Sequence, residues 1–197
     1  MPEVGGQNTK PLNSETMNIF LTGYRCTGKT SVGKTLAMKL GWSFIDADKE
    51  LVETYSMTIN DIVSKQGWDS FREKEKEILK KICGLDKLVV ATGGGVVLDN
   101  ENVKNMKKSG VVVWLRAAPE TVKKRILLDK TTGDFRPSLS SKGLVEEIEE
   151  ILLDRKPLYE NAMNFSVDTD DRSIDDICGK IMGELKVPKV KDKLQVN

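Results

Sequence analysis

Histidine is absent from the 197 residues of this chain. Its absence excludes histidine-based catalytic triads, histidine general bases and histidine metal ligands, so proton transfer or metal binding must use other side chains. Cysteine is scarce, with three widely separated residues and no CxxC pair. Three isolated cysteines do not suit a disulfide framework, and they favour a reducing cytoplasm as the location.

Long apolar runs and charge of one sign are missing as well. The chain has 31 basic and 30 acidic residues in no long block of one sign, so we expect neither nucleic acid nor an anionic membrane as the main partner. No run is long and apolar enough to cross a bilayer. Residues 1–16 lack the apolar core of a signal peptide, and we expect a disordered leader there.

What the sequence does contain is an alternation of short apolar runs and helical patterns. With 39% hydrophobic residues it suits one monomeric domain over residues 17–185, followed by a tail over 186–197. The predicted strands are 18–21, 43–46, 87–91, 110–114 and 164–167. The predicted helices are 29–40, 49–55, 59–65, 68–82, 100–108, 119–128, 144–161 and 174–185. This alternation predicts an α/β fold with a parallel sheet.

One segment, residues 129–143 (DKTTGDFRPSLSSKG), breaks the alternation. It is polar, with two glycines, a proline and several hydroxyl residues, and it lies between two predicted helices. A surface loop without function is one interpretation. The segment is long for such a loop, and we expect a lid over the site. Arg136 on this lid could stabilise charge on a transferred phosphoryl group.

A glycine loop follows the first strand and opens the first helix. Its sequence matches the pattern GxxxxGK[ST] in the context that this motif requires. Backbone N–H groups of such a loop approach phosphate oxygens, the lysine bridges the β- and γ-phosphates, and the threonine ligates Mg²⁺. We expect it to bind ATP through Gly23, Tyr24, Arg25, Cys26, Thr27, Gly28, Lys29, Thr30 and Ser31.

Further candidates follow the next two strands. Asp46 and Asp48 stand at the end of the second predicted strand, where residues two apart share a face and could serve Mg²⁺ and a substrate hydroxyl. Alternatively, Asp48 caps the following helix. The third strand ends in Thr92 and three glycines, which indicates close backbone approach to a ligand. That strand ends without a carboxylate, which makes Asp46 the best-placed residue to support a metal.

Taken together, these motifs resemble the shikimate kinase family. The resemblance covers residues 17–185 in the family's order and spacing. Its motifs are GYRCTGKTSVG, the Asp46/Asp48 pair, FRxxE at Phe71-Arg72-Glu75, ATGGGVV, RPSL in the predicted lid and RxPxY at Arg155. The resemblance implies a P-loop kinase fold: a five-stranded parallel sheet of order 2-3-1-4-5 flanked by helices, a lid, and a helical substrate-binding segment at about residues 47–82.

The same resemblance implies phosphoryl transfer from Mg-ATP to the 3-hydroxyl of shikimate. Lys29 and Thr30 would serve ATP and Mg²⁺, with Asp46 supporting the metal through water. Substrate binding would fall to Asp48, Arg72, Gly94, Gly95 and Arg155, and catalysis to Lys29, Asp48 and Arg136.

The resemblance has gaps at the adenine pocket. Many family members have an arginine at the start of the lid and a proline after the last strand; here the corresponding positions are Asp129 or Lys130, and Ile174. The residues that bind adenine therefore stay unassigned. Two alternatives remain: a gluconate-type or nucleotide-type kinase, which has no need for the joint arginine and glycine set, and a non-catalytic nucleotide-binding module, in which Lys29, Asp46 or Asp48 should be lost.

Overall fold

The computed structural model of the chain describes residues 17–128 and 144–186. The predicted leader, the predicted lid with Arg136, and residues 187–197 of the predicted tail lie outside the described residues. Asp129 and Lys130 lie outside them too.

Strands and helices alternate through the described part of the chain, as the sequence patterns predict. In chain order the elements are β1 (Asn18–Thr22), α1 (Lys29–Leu40), β2 (Ser43–Asp46), α2 (Ala47–Tyr55), α3 (Ile59–Cys83), β3 (Leu88–Ala91), a 3₁₀ turn (Val96–Leu98), α4 (Asn100–Ser109), β4 (Gly110–Arg116), α5 (Pro119–Leu128), α6 (Leu144–Ala162), β5 (Phe165–Asp168) and α7 (Ile174–Glu184).

The five strands form one parallel sheet in the order β2-β3-β1-β4-β5. Phe20 of the central strand β1 pairs with Val90 of β3 on one side and with Val112 of β4 on the other. The predicted sheet and strand order are therefore confirmed. The connection after β1 leads to β2 on one side of β1, and the connection after β3 leads to β4 on the other side. At such a reversal a crevice opens at the carboxyl ends of the strands, where ligands bind in such folds.

Two hydrophobic cores cover the two faces of the sheet. Phe20 faces the core beneath α2, α3 and α4, whereas its neighbours Ile19 and Leu21 face the core beneath α1 and α7. All three side chains are fully buried. This alternation explains why β1 is a continuous apolar run, since a parallel strand is covered on both faces.

Two local features differ from, or refine, the predicted elements. Helix α2 begins at Ala47 instead of residue 49, because the Asp46 carboxylate caps it by accepting a hydrogen bond from the Lys49 N–H at 3.4 Å. Helix α3 contains a kink at Gly67, whose φ of 83° and ψ of 171° interrupt the helical backbone. The kink lies between the two helices that the sequence predicts here, and the next residue, Trp68, lines a cleft at the carboxyl edge of the sheet.

Candidate active site

The glycine loop joins β1 to α1 at the carboxyl edge of the sheet. The Lys29 side chain is 7% exposed, and its ammonium donates hydrogen bonds to the carbonyls of Gly23 and Tyr24, both at 2.8 Å. The Thr27 hydroxyl donates to the Tyr24 carbonyl at 2.8 Å. Gly28, with a φ of 93°, sits just before the first turn of α1. These bonds hold the loop open around the helix N-terminus, which is a favourable place for a phosphate.

The candidate metal ligands Thr30 and Asp46 are in direct contact. The Thr30 hydroxyl donates to Oδ2 of Asp46 at 2.9 Å, although the two residues are 16 positions apart. Asp48 lies in the first turn of α2, so the cap is Asp46 and the alternative role of Asp48 as a cap is wrong. The premise that both residues share a strand face is also wrong, since β2 ends at Asp46. The helical turn instead directs Asp48 into a separate cleft.

This acceptor cleft lies beside the glycine loop and gathers residues from several distant parts of the chain. Its lining contains five of the predicted substrate-binding positions and two residues of the glycine loop. The full lining is Tyr24, Arg25, Asp48, Ile59, Trp68, Phe71, Arg72, Glu75, Gly93, Gly94, Gly95 and Arg155. Three arginines against two carboxylates make the cleft a suitable place for an anionic ligand.

Arg72 is held by both charge and shape. Its guanidinium donates to Oε2 of Glu75, one helical turn further on. Its Cζ also lies 4.9 Å from the centre of the Phe71 ring and 5.6 Å from that of Trp68. A β-carbon at Gly95 would lie 2.6 Å from Cζ of Arg72, so a side chain at this position would displace the guanidinium. The arginine is thereby presented to the cleft in one orientation.

Glu75 is a buried carboxylic acid at the base of this cleft. It is 6% exposed, and within the described residues its Oε1 has no hydrogen-bond partner. Burial raises its pKa, the ion pair with Arg72 opposes that rise, and the nearby Asp48 adds to it. A β-carbon at Gly93 would lie 2.6 Å from Oε1 of Glu75 and 3.0 Å from Oδ1 of Asp48. The two acids therefore face the same glycine.

Arg155 approaches from α6, on the opposite side of the cleft from α3. Its Nη1 donates to the Gly94 carbonyl at 3.1 Å, across 61 positions of the chain. The hydroxyl of Tyr159, one turn further along α6, donates to the same carbonyl at 2.6 Å. The RxPxY element of the sequence thus fastens the glycine turn after β3 to α6.

Arg125 lies on the nucleotide side of the site, and the sequence analysis missed it. It donates to the carbonyl of Cys26 in the glycine loop at 3.3 Å, and to the hydroxyl and carbonyl of Thr169 at 3.0 and 2.8 Å. The family resemblance implies an arginine at the start of the lid, near Asp129 or Lys130, whereas this arginine comes from the last turn of α5. The available signal is its place in α5, the helix that directly follows β4, since β4 pairs with β1, the strand before the glycine loop.

The predicted site residues therefore fall into two groups. Tyr24, Arg25, Asp48, Arg72, Gly94, Gly95 and Arg155 line the acceptor cleft. Gly23, Cys26, Thr27, Gly28, Lys29, Thr30 and Ser31 form the glycine loop and the first turn of α1, and Asp46 contacts Thr30. Glu75, Trp68 and Tyr159 also belong to the site or its support. Glu75 and Tyr159 stand in motifs that the sequence shows, but the sequence does not indicate their contacts.

Two structural features are absent from the described residues. None of the helices in residues 17–128 and 144–186 has the length and apolar character needed to cross a membrane. In the same residues, no group of three or more Cys, Asp, Glu or His side chains is placed to hold a metal ion. A metal held by one or two protein oxygens together with phosphate oxygens and water, as Mg²⁺ is in kinases, does not need such a group.

Comparison with known proteins gives a consistent result. The family model described as "Shikimate kinase" matches residues 25–186. A shikimate kinase of Thermodesulfovibrio yellowstonii is 44% identical over 167 residues, which are 85% of this chain and 94% of that protein. Shikimate kinase 2 of Photorhabdus laumondii is 42% identical over 141 residues, which are 72% of this chain and 80% of that protein.

Solved structures agree with the sequence relatives. The shikimate kinase of Acinetobacter baumannii, solved in complex with shikimate, superposes on this chain with a TM-score of 0.81. The two are 31% identical, and the match covers 90% of this chain and 97% of that one.

Proposed function

The chain belongs to the shikimate kinase family, and we propose on that premise that it transfers the γ-phosphoryl group of ATP to the 3-hydroxyl of shikimate. The products are shikimate 3-phosphate and ADP. The arrangement that carries this proposal is the single cleft shared by Arg72 from α3, Arg155 from α6 and Asp48 from α2. Shikimate has one carboxylate and three hydroxyls, and this cleft offers cations on two sides and a carboxylate for the hydroxyls.

The two arginines bind the substrate carboxylate in this proposal. A planar guanidinium holds a carboxylate through two parallel hydrogen bonds, which fixes the ring as well as binding it. Arg72 is held in position by Glu75 and by the space at Gly95, so its orientation exists before the substrate enters. Such preorganisation supports affinity, because little side-chain freedom is lost on binding. The backbone of Gly94 and Gly95 completes this side of the cleft.

The glycine loop binds the triphosphate. Lys29 exchanges its two loop carbonyls for β- and γ-phosphate oxygens when ATP enters, and the loop N–H groups with the α1 N-terminus bind the remaining oxygens. Thr30 and Asp46 fit Mg²⁺, since a hydroxyl and a carboxylate 2.9 Å apart supply oxygen ligands directly or through water. When bound, Mg²⁺ neutralises charge on the phosphates.

Asp48 orients the 3-hydroxyl towards the γ-phosphorus and accepts its proton. The new bond joins the substrate oxygen to phosphorus, the bond to the β–γ bridging oxygen breaks, and ADP leaves with that electron pair. Arg25 of the glycine loop also lines the acceptor cleft, so it stands between the two substrates. Arg136 of residues 129–143, predicted as the lid, reaches the phosphates in this proposal. Alignment and charge neutralisation supply most of the rate enhancement.

The remaining assignments stay predictions. We infer a monomer that acts in the cytoplasm, with a leader at 1–16, a kinase domain at 17–185, a substrate-binding segment at 47–82, a lid at 129–143 and a tail at 186–197. Gel filtration with light scattering tests the monomer, and limited proteolysis tests the ends of the domain.

A steady-state assay of ADP release with shikimate, quinate and gluconate as separate acceptors tests the reaction. We expect efficient turnover with shikimate and, with gluconate, a kcat/KM lower by at least about 10³-fold, because an open-chain acid cannot match the cleft. Faster turnover with gluconate would contradict the proposal. Phosphorus NMR of the product identifies the phosphorylated hydroxyl.

A further inference from the structure

Tyr159 is a fully buried residue of α6 that makes one short contact with the acceptor cleft. Its hydroxyl donates to the Gly94 carbonyl at 2.6 Å, and the ring lies inside the core on the α3 side of the sheet. The cleft lining includes Gly94 but not Tyr159. Tyr159 can therefore affect a bound substrate only through neighbours that line the cleft, which are Gly94 and Arg155.

The ring of Tyr159 is fixed by its neighbours. It stacks on the indole of Trp114 in β4, with ring centres 5.3 Å apart and planes at 16°. Trp114 is itself 7% exposed. Burial raises the pKa of Tyr159 to about 12, with a smaller opposing effect from Arg155. The hydroxyl thus remains protonated at neutral pH and acts as a fixed donor.

The Gly94 carbonyl accepts hydrogen bonds from two side chains, which differ in burial and mobility. Tyr159 is buried and rigid, whereas Arg155 is partly exposed and faces the cleft. A carbonyl satisfied by Tyr159 can release Arg155 to a substrate carboxylate without becoming an unsatisfied buried acceptor. In addition, a trans peptide points its C=O and N–H in opposite directions, so holding the Gly94 carbonyl also sets the direction of the Gly95 N–H.

We propose that Tyr159 is a positioning residue of the acceptor site, which holds the Gly94 carbonyl so that Arg155 is free for the substrate carboxylate and the Gly95 N–H keeps its direction. This inference rests on the proposed function, because it assumes that an anionic substrate occupies the cleft. Tyr159 should affect substrate binding and not the chemical step, because the same contacts are made in the ground state and in the transition state. Its loss should therefore raise the KM for shikimate and leave kcat unchanged.

Tyr159→Phe tests the inference, since it removes the hydroxyl and keeps the ring stacked on Trp114. We expect the KM and the dissociation constant for shikimate to rise about 10-fold, with kcat and the KM for ATP within about twofold. Tyr55→Phe is the matched control: it also removes a tyrosine hydroxyl that donates to another group, Glu77 at 2.7 Å, away from the cleft. The control should leave all four quantities unchanged.

A double-mutant cycle with Arg155→Ala identifies the route of the effect. Loss of Arg155 removes one of the two effects of Tyr159 and leaves its effect on the Gly95 N–H. Tyr159→Phe should therefore weaken shikimate binding by about threefold, instead of about 10-fold, once Arg155 is gone. Full additivity of the two changes, or a lowered melting temperature with an unchanged shikimate dissociation constant, would overturn the inference and leave Tyr159 a structural residue.

Calorimetric titration of shikimate without nucleotide separates this inference from the proposed function. Wild-type protein that binds shikimate but does not phosphorylate it contradicts the reaction alone, and the Tyr159→Phe comparison still decides the inference. Wild-type protein that does not bind shikimate overturns both.

Discussion

The glycine loop and the acceptor cleft lie side by side at one edge of the sheet, but they use the chain in different ways. The loop is a run of consecutive residues. Its Lys29 and Thr27 side chains donate to loop carbonyls that are three to six positions away in the sequence. The cleft combines α2, α3, the turn after β3, and α6, and its arginine at 155 bonds to a carbonyl 61 residues away.

This difference indicates where each half is vulnerable. Residues 27–30 of the loop do not line the acceptor cleft, and Thr27 and Lys29 make local bonds. A substitution there should therefore affect phosphate chemistry and leave acceptor binding. The cleft depends on the packing of separate helices around three glycines, so a substitution far from the ligand in sequence can disturb it. The variants below test this separation, beginning with the largest expected effect.

Lys29→Met should abolish turnover while leaving the cleft intact. Loss of the ammonium removes the clamp on the β- and γ-phosphates, and we expect kcat to fall by about 10³-fold or more. Calorimetry should show a shikimate dissociation constant within about twofold of wild type. Lys34→Met, an exposed lysine of the same helix, is the matched control and should retain full activity. Near-normal kcat in Lys29→Met would refute the role of this lysine.

Gly95→Ala should damage the cleft without touching the loop. The new methyl group would overlap the Arg72 guanidinium, while the φ of −102° at this position is acceptable for alanine, so the effect is one of space. Displacing a charged pair that contributes about 2–3 kcal/mol should raise the KM for shikimate about 10²-fold. The KM for ATP should stay within about twofold, as measured in the same assay.

Arg72→Ala supplies the comparison for this prediction. It should raise the shikimate KM about as much as Gly95→Ala, and the double variant should be little worse than either, since both changes remove the same contact. Gly179→Ala in α7 is the control, because a β-carbon there meets nothing within 4 Å. A shikimate KM unchanged in Arg72→Ala would mean that Arg72 does not bind the substrate. A KM unchanged only in Gly95→Ala would mean that the guanidinium moves aside and keeps its contact.

The parts of the structure that depend on local sequence patterns are also the parts that the sequence predicts best. Helices α1 and α5 and strand β2 begin and end at the predicted residues, because periodicity and end signals are local. Residue type cannot predict that Asp46, and not Asp48, caps α2, because both are aspartates. The cap is decided by where the helix begins, and that differs by only two positions between the alternatives. The contact of Arg125 with Thr169 depends on how α5 meets the residue that follows β5, which no local pattern encodes.

Glu75→Gln should reveal the cost of a buried carboxylate in the cleft. Because burial raises the pKa of Glu75 in the folded state, its stabilising contribution is complete below the unfolded value of about 4.5 and is lost as pH rises through the folded value. The free energy of unfolding of Glu75→Gln relative to wild type should therefore increase from acidic to neutral pH. Urea unfolding at both pH values measures it.

Glu73→Gln, which removes an exposed carboxylate of the same helix, is the control for this pH series and should show a smaller dependence. The opposite sign in Glu75→Gln, a relative stability that decreases towards neutral pH, would mean that the ion pair with Arg72 outweighs burial.

Cys26→Gly should give the smallest change, and it probes strain within the glycine loop. Cys26 has a φ of 60°, in the left-handed region that a side chain makes unfavourable by about 1–2 kcal/mol. Glycine relieves this strain but gains freedom in the unfolded chain, which leaves a net stabilisation of about 1 kcal/mol or less. Thermal unfolding should show a slightly higher midpoint for Cys26→Gly than for Cys26→Ala, which keeps the strain. Equal midpoints in the two variants would show that the loop adopts this backbone without strain, and that the local bonds of Lys29 and Thr27 are sufficient to hold it.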